Sequence, residues 1–101
     1  MKSIMQRNRG CYVCGDNNYL ESHHIFYGNR NRNKAEKDGL KVFLCYEHHR
    51  GTYGIHGREG HELDTKLKQD AERIWLKHYN KTIDDFIDRF GRNYLDADIN
   101  D

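Results

Sequence analysis

The sequence predicts a small α+β domain, in which two short strands belong to a part rich in cysteine and histidine and two helices follow it. All three cysteines and five of the seven histidines lie between residues 11 and 56. In the same region, residues 19–27 are rich in aromatic residues and isoleucine and predict a short strand at 20–25, and residues 40–44 are mostly apolar and predict a second. From Leu63 onward the apolar residues instead recur with the period of a helix.

The composition fits one domain, residues 1–101, with a modest core. Hydrophobic residues make up 36% and charged residues 33% of the chain, and small domains of this kind are often completed by a metal ion. The chain has no apolar run long enough to span a bilayer and no signal-peptide pattern in residues 1–10. We therefore expect a cytoplasmic location without membrane contact, where an odd number of cysteines favours metal binding over disulfides.

The charge is unevenly distributed along the chain. Residues 1–60 carry ten Lys/Arg and six Asp/Glu, which leaves +4, and residues 61–101 carry seven and ten, which leaves −3. The basic part is also the part that contains the clustered histidines. This distribution suits a polyanionic partner.

The N-terminal segment leads into a pair of cysteines. Residues 1–10 are polar and basic with little pattern, and we expect a frayed lead-in. Cys11 and Cys14 then form a Cys-x-x-Cys pair, which turn-forming residues 15–18 follow directly. A redox pair would normally open a helix after a strand, so the turn residues favour a zinc knuckle.

The segment between the two predicted strands is polar and basic. Residues 28–39 contain almost nothing apolar, and we interpret them as an exposed loop. The loop carries four basic residues: Arg30, Arg32, Lys34 and Lys37. After the second strand, residues 46–50 can form one helical turn that Gly51 ends, and the four glycines of residues 51–60 predict a tightly turned loop.

The C-terminal part, residues 61–95, is predicted to be helical. The first helix runs from Leu63 to Tyr79 and ends at Asn80. Its apolar face is formed by Leu63, Leu67, Ala71, Ile74, Trp75 and Leu76. Thr82 and Gly91 have the positions of an N-cap and a C-cap for a second helix, and we expect the acidic residues 96–101 to be disordered.

The spacing of the cysteines predicts a structural zinc site. Cys11, Cys14 and Cys45 supply three ligands, and either His48 or His49 supplies the fourth. We prefer His48, because it stands at the same spacing from Cys45 as the first two cysteines have from one another. This choice leaves His49 free to face elsewhere.

The remaining histidines predict a second functional site. His23 and His24 are adjacent on a predicted strand, so their side chains point to opposite faces and cannot both bind one ion in regular geometry. One of them can bind a metal while the other faces a substrate. Phosphodiester hydrolysis needs these two roles, since a divalent ion stabilises charge and a neutral imidazole accepts a proton from water.

Two segments of the chain resemble the HNH endonuclease (His-Me finger) family. Ser22-His23-His24-Ile25 matches the family's first strand, and Leu44-Cys45-Tyr46-Glu47-His48-His49 matches its helix start with a zinc knuckle. The resemblance covers residues 11–56 and implies a ββα-metal core with C-terminal helices attached. Where the family usually has an asparagine before the second strand, this chain has Asp38-Gly39-Leu40.

The resemblance also implies roles for individual residues. His24 corresponds to the general base, and His23 and His49 correspond to ligands of a catalytic divalent metal such as Mg²⁺, Mn²⁺, Ni²⁺ or Zn²⁺. His56 ends a Gly-x-x-Gly-x-His run that is similar to phage-type members of the family, where it would be a third ligand; the alternative is a loop histidine in solvent.

The implied function is metal-dependent hydrolysis of DNA, with the basic residues 28–39 following the phosphate backbone. The small size favours low specificity, or a phage or host protein partner that supplies it. The alternative is a non-catalytic zinc-binding module that recognises nucleic acid or protein. Such a module needs one histidine of the window, whereas the chain has five there.

Overall fold

The computed structural model describes residues 2–96, which form an α+β fold with a two-stranded antiparallel sheet and four helices. The order along the chain is β1 (Glu21–His24), α1 (Asn29–Asp38), β2 (Lys41–Leu44), α2 (Tyr46–His49), α3 (His61–Tyr79) and α4 (Ile83–Phe90). The predicted α+β class is confirmed, while the ββα-metal identity of the core stays a prediction. Of the tail for which disorder was expected, residues 97–101 lie outside the described part.

None of the helices within residues 2–96 has both the length and the apolar character needed to cross a lipid bilayer.

The sheet sorts its side chains onto two faces. Opposite residues on β1 and β2 are Glu21 and Leu44, Ser22 and Phe43, His23 and Val42, and His24 and Lys41. Because side chains alternate along a strand, His23 lies on the face of the buried Val42 and Leu44. His24 and Ser22 lie on the opposite face, which we call the outer face of the sheet.

Residues 28–39 are not the exposed loop that the sequence predicted, because most of them form the helix α1. Only Ala35 is fully buried, so this helix has no apolar stripe that a periodicity argument could detect. Gly39 ends it in the left-handed conformation, and its amide donates to the carbonyl of Ala35. A side chain at Gly39 would also lie 2.6 Å from the carbonyl oxygen of Lys2.

The N-terminal segment is packed along β2, contrary to the expectation of a frayed lead-in. The amide of Ile4 donates to the carbonyl of Gly39 at 2.9 Å. The side chain of Gln6 accepts a hydrogen bond from the amide of Phe43 at 2.9 Å and donates to the carbonyl of Gly10. Gln6 therefore connects the knuckle to β2. The expectation of a frayed segment was wrong because the segment is held by long-range polar contacts, which leave no pattern in the local sequence.

The two C-terminal helices confirm the predicted caps and cover the apolar side of the metal-binding part. Asn80 ends α3 in the left-handed conformation, and Thr82 and Asp85 form a reciprocal capping box at the start of α4. Helix α3 begins at His61, two residues before the predicted start. The buried side chains that meet at this interface are Phe26, Leu67, Ala71, Trp75, Phe86 and Phe90.

Asp38 joins three helices at the end of α1. Its carboxylate accepts hydrogen bonds from Trp75 at 2.9 Å and from Arg89 at 2.9 and 2.8 Å. Its backbone carbonyl accepts a hydrogen bond from the hydroxyl of Tyr79 at 2.7 Å. Asp38 fixes the segment before β2 to α3 and α4.

We predict that Asp38→Ala lowers the free energy of unfolding by about 2–4 kcal/mol, because it leaves the indole N–H of Trp75 and the guanidinium of Arg89 without their acceptor. Chemical denaturation in the presence of zinc, followed through the single tryptophan, measures this loss. Asp88→Ala, at an exposed position of α4, should change the free energy by less than about 0.5 kcal/mol. Equal losses in the two variants would contradict this role of Asp38.

Candidate metal centres

Four side chains converge at the knuckle, and they could hold a structural metal ion such as zinc. The sulfurs of Cys11, Cys14 and Cys45 and a ring nitrogen of His48 all lie within 4.8 Å of one another. The Sγ atoms of Cys14 and Cys45 are 3.8 Å apart, and Nδ1 of His48 lies 3.6 Å from Sγ of Cys11 and 3.3 Å from Sγ of Cys45. A tetrahedral zinc ion with ordinary bond lengths has S···S edges of about 3.8 Å and S···N edges of about 3.6 Å. The cluster therefore has the dimensions of a zinc site.

Local backbone structure positions the two halves of this cluster. The amide of Gly15 donates to the carbonyl of Cys11 at 2.8 Å, and Gly15 adopts the left-handed φ of 81° that closes the turn. Cys45 is the residue before α2, and His48 lies on the single turn of that helix. The choice of His48 over His49 agrees with this geometry, because Nδ1 of His48 is the ring nitrogen beside the sulfurs.

The pKa of the Cys11 thiol is lowered to about 6. Burial raises this pKa, but hydrogen bonds from the backbone of Cys45, Cys14 and Val13 lower it by more. The thiolate is the form that binds metal ions, so the backbone favours the state that a zinc site requires.

A second cluster consists of His23, His49 and His56, whose ligand nitrogens also lie within 4.8 Å of one another. Ring centroids are 5.3 Å apart for His23 and His49, 5.4 Å for His23 and His56, and 4.8 Å for His49 and His56. His23 and His49 are buried, whereas His56 is exposed. The convergence of the three rings is an observation; their role as ligands of a catalytic metal stays a prediction.

The loop of residues 51–60 carries His56 back to α2. The amide of His56 donates to the carbonyl of His49 at 2.9 Å, and that of Ile55 donates to the carbonyl of His48 at 2.9 Å. This close approach needs glycine, because a side chain at Gly54 would lie 2.6 Å from the carbonyl oxygen of Glu47. The repeated glycines thus bring His56 to the cluster.

Glu21 orients His49, and the sequence analysis did not identify it. Its carboxylate contacts Nδ1 of His49 at 3.0 Å and the guanidinium of Arg50 at 2.8 and 3.2 Å. A carboxylate only accepts hydrogen bonds, so Nδ1 of His49 carries the proton and Nε2 is left as the ligand atom. Arg50 and then His49 hold the pKa of Glu21 at about 2. Strand alternation could have identified Glu21, because it precedes His23 by two residues and therefore lies on the same face of β1.

The electrostatics of the cluster favour neutral imidazoles. Burial and, after it, the neighbouring His49, His56, His24 and Lys68 together lower the pKa of His23 to about 3. Burial, followed by His49 and Arg50, also lowers the pKa of His56. A lone pair on a neutral ring is what a metal ligand must offer, so His23 and His56 are in the required state at neutral pH.

His24 lies apart from this cluster and pairs with a carboxylate of α1. Its Nε2 is 2.8 Å from Oε1 of Glu36, and Glu36 also contacts Nζ of Lys41 at 3.1 and 2.8 Å. The contacts with Lys41 and then with His24 lower the pKa of Glu36 well below its usual range. Nε2 of His24 therefore donates to an ionised carboxylate, and Nδ1 remains as the acceptor. Glu36 was missed because its segment was interpreted as a loop.

All of these histidines except His48 border one small cavity. It has a volume of about 180 Å³ and is lined by Ser22, His23, His24, Tyr27, Arg32, His49 and His56. Of the four basic residues predicted to bind DNA, Arg32 thus lies at the histidines. Arg30 and Lys37 are exposed on α1, whereas Lys34 donates from Nζ to the carbonyl of Arg89 at 2.8 Å.

Comparison of the chain with family models, curated proteins and solved structures found no match. The resemblance to HNH endonucleases therefore rests on the sequence motifs alone.

We predict that protein purified without chelator contains about one tightly bound zinc ion per chain, held by Cys11, Cys14, Cys45 and His48. Cys14→Ser should lose this zinc and unfold at a lower temperature, because zinc binding contributes to folding in such domains. Elemental analysis and thermal denaturation measure the two effects. Val13→Ala, at the exposed position next to Cys14, is the control and should keep the zinc. The site would be excluded if the wild-type protein contained no zinc and had the same melting temperature as Cys14→Ser.

Proposed function

We propose that the protein is a metal-dependent endonuclease that hydrolyses DNA phosphodiester bonds. The observation that carries the proposal is one cavity bordered both by three convergent imidazoles and by a separate histidine with its own carboxylate partner. Metal-dependent hydrolysis of a phosphodiester uses both a metal site and a base, whereas a structural metal site alone needs no histidine beyond its ligands.

The metal would be held by His23 and His49, with His56 as a third ligand. The donor set fits, because His23 and His56 are held neutral and His49 presents Nε2 once Glu21 has bound its Nδ1–H. When bound, a divalent ion supplies stabilisation of the charge on the phosphate and on the leaving oxygen. Nitrogen ligands of this kind suit Zn²⁺ or Ni²⁺ more than Mg²⁺.

His24 would be the general base. Nδ1 of His24 accepts the proton of a water molecule whose oxygen bonds to phosphorus, while the bond from phosphorus to the leaving sugar oxygen breaks. Glu36 holds the Nε2–H of His24 and stabilises the imidazolium that forms, as a carboxylate does beside a catalytic histidine. Lys41 keeps Glu36 ionised and in place. Arg32 lines the same cavity, and its guanidinium would bind a phosphate oxygen.

A non-catalytic zinc-binding module is the second candidate, and the Cys11–Cys14–Cys45–His48 cluster is the observation that favours it. It explains the first centre without any chemistry. It does not explain why His23, His49 and His56 converge, nor why Glu21 and Glu36 orient two different histidines.

We predict that His24→Ala leaves metal affinity nearly unchanged and lowers the rate of DNA cleavage by roughly two to four orders of magnitude, which is the usual contribution of a general base. His23→Ala and His49→Ala should instead weaken metal binding, so that higher metal concentration partly restores their activity. Plasmid cleavage over a metal titration compares these variants. His78→Ala, at an exposed position near the end of α3, is the control and should behave like the wild type.

Two outcomes would contradict this assignment. If metal titration restored His24→Ala but not His23→Ala, the roles of the two adjacent histidines would be reversed. If all variants matched a wild type without cleavage activity, the zinc-binding module would replace the nuclease.

We also predict that Arg30→Ala/Arg32→Ala weakens DNA binding. The slope of log K against log salt should decrease in magnitude by about 2, because each lost phosphate contact reduces it by about one. Lys34→Met provides the contrast on the same helix. Its ammonium bonds to the carbonyl of Arg89, so this variant should lose stability while its salt slope stays close to that of the wild type. Fluorescence anisotropy with labelled DNA measures the slopes, and equal slopes in all three proteins would exclude α1 from the interface.

A further inference from the structure

The outer face of the sheet and the N-terminal segment enclose a second and larger concavity. This groove has a volume of about 870 Å³ and lies between residues 2–9 on one side and β1 and β2 on the other. Its lining includes Lys2, Arg7, Arg9, Ser22, Lys41 and Phe43. No sequence pattern pointed to it, because residues 1–10 were expected to be frayed.

The groove is basic. Within residues 2–96 no acidic side chain lines it, while Lys2, Arg7 and Arg9 are exposed there and Lys41 is engaged with Glu36. The guanidinium of Arg9 lies over the ring of Phe43, 4.9 Å from its centroid. This cation–π contact fixes a planar donor group at the edge of the groove, in the form that binds phosphate by two parallel hydrogen bonds.

The groove and the histidine cavity meet at one residue of β1. Ser22 lines both of them. In the sheet register Ser22 lies opposite Phe43 and His24 lies opposite Lys41, and all four side chains share the outer face. A chain that occupies the groove therefore lies on the same face of the sheet as His24.

We propose that this groove binds the phosphate backbone of DNA beside the bond that is cleaved. The inference rests on the proposed nuclease function, which places the scissile phosphate at His24 and the imidazole cluster. From there the strand runs across Ser22 and Lys41 to Arg9, Arg7 and Lys2. The partner is a polyanion, because all the charged side chains that line the groove are basic.

The test is DNA binding by Arg7→Ala/Arg9→Ala, measured in a His24→Ala background so that cleavage does not interfere. At about 0.1 M salt we expect affinity for a labelled duplex to fall at least tenfold, and the slope of log K against log salt to decrease by about 2. Arg73→Ala/Lys77→Ala removes two exposed charges from α3, outside both the groove and the cavity, and should change neither quantity. Zinc content and the denaturation midpoint confirm that both double variants are folded.

The outcomes separate this proposal from the nuclease itself, because binding and cleavage are measured independently. If the wild type cleaves DNA but the two double variants bind alike, the groove proposal is wrong and the nuclease stands. If only Arg7→Ala/Arg9→Ala has a lower DNA affinity and a smaller slope of log K against log salt, the groove is the binding surface, even where the wild type shows no cleavage. If the His24→Ala parent does not bind DNA at all, the groove proposal is overturned.

Discussion

The alternation of side chains along β1 is the constraint on which both the site and its surroundings depend. Glu21 and His23 point to the face that meets α2, and Ser22 and His24 point to the outer face. On one side, this four-residue strand contributes His23, a candidate metal ligand, and Glu21, the carboxylate that orients His49. On the other side it contributes His24, the candidate base. A shift of the register by one residue would exchange these roles and place His24 on the buried face.

So short a strand holds this register because its neighbours are fixed at both ends. Cys45 ends β2, starts α2 and belongs to the knuckle cluster, so a metal bound there would join the sheet, the helix and the Cys11–Cys14 turn. At the other end, Asp38 connects the start of β2 to α3 and α4. The apolar core is modest, so the polar links of Asp38, together with a metal ion at the knuckle, would supply much of the order that the histidines need.

The features that the sequence predicted are those encoded by local spacing. Cys-x-x-Cys and Cys-x-x-His define the first cluster, strand alternation separates His23 from His24, and helical periodicity with Thr82 and Gly91 defines the C-terminal part. The features that it did not predict depend on distant contacts. Helix α1 buries a single alanine, Glu36 meets His24 only once α1 is helical, and the N-terminal segment is held by Gln6 through backbone groups of Gly10 and Phe43.

The proposed function requires a second metal centre, from which His24 is excluded. Nitrogen-15 NMR of the histidine side chains during titration with Zn²⁺ tests this requirement, because coordination changes the shift of the nitrogen that binds. After the knuckle site is filled, we expect a second equivalent to shift one ring nitrogen in each of His23, His49 and His56. His24 should remain uncoordinated, with its Nε2–H still bonded to Glu36. Saturation after one equivalent, or coordination through His24, would rule out this arrangement.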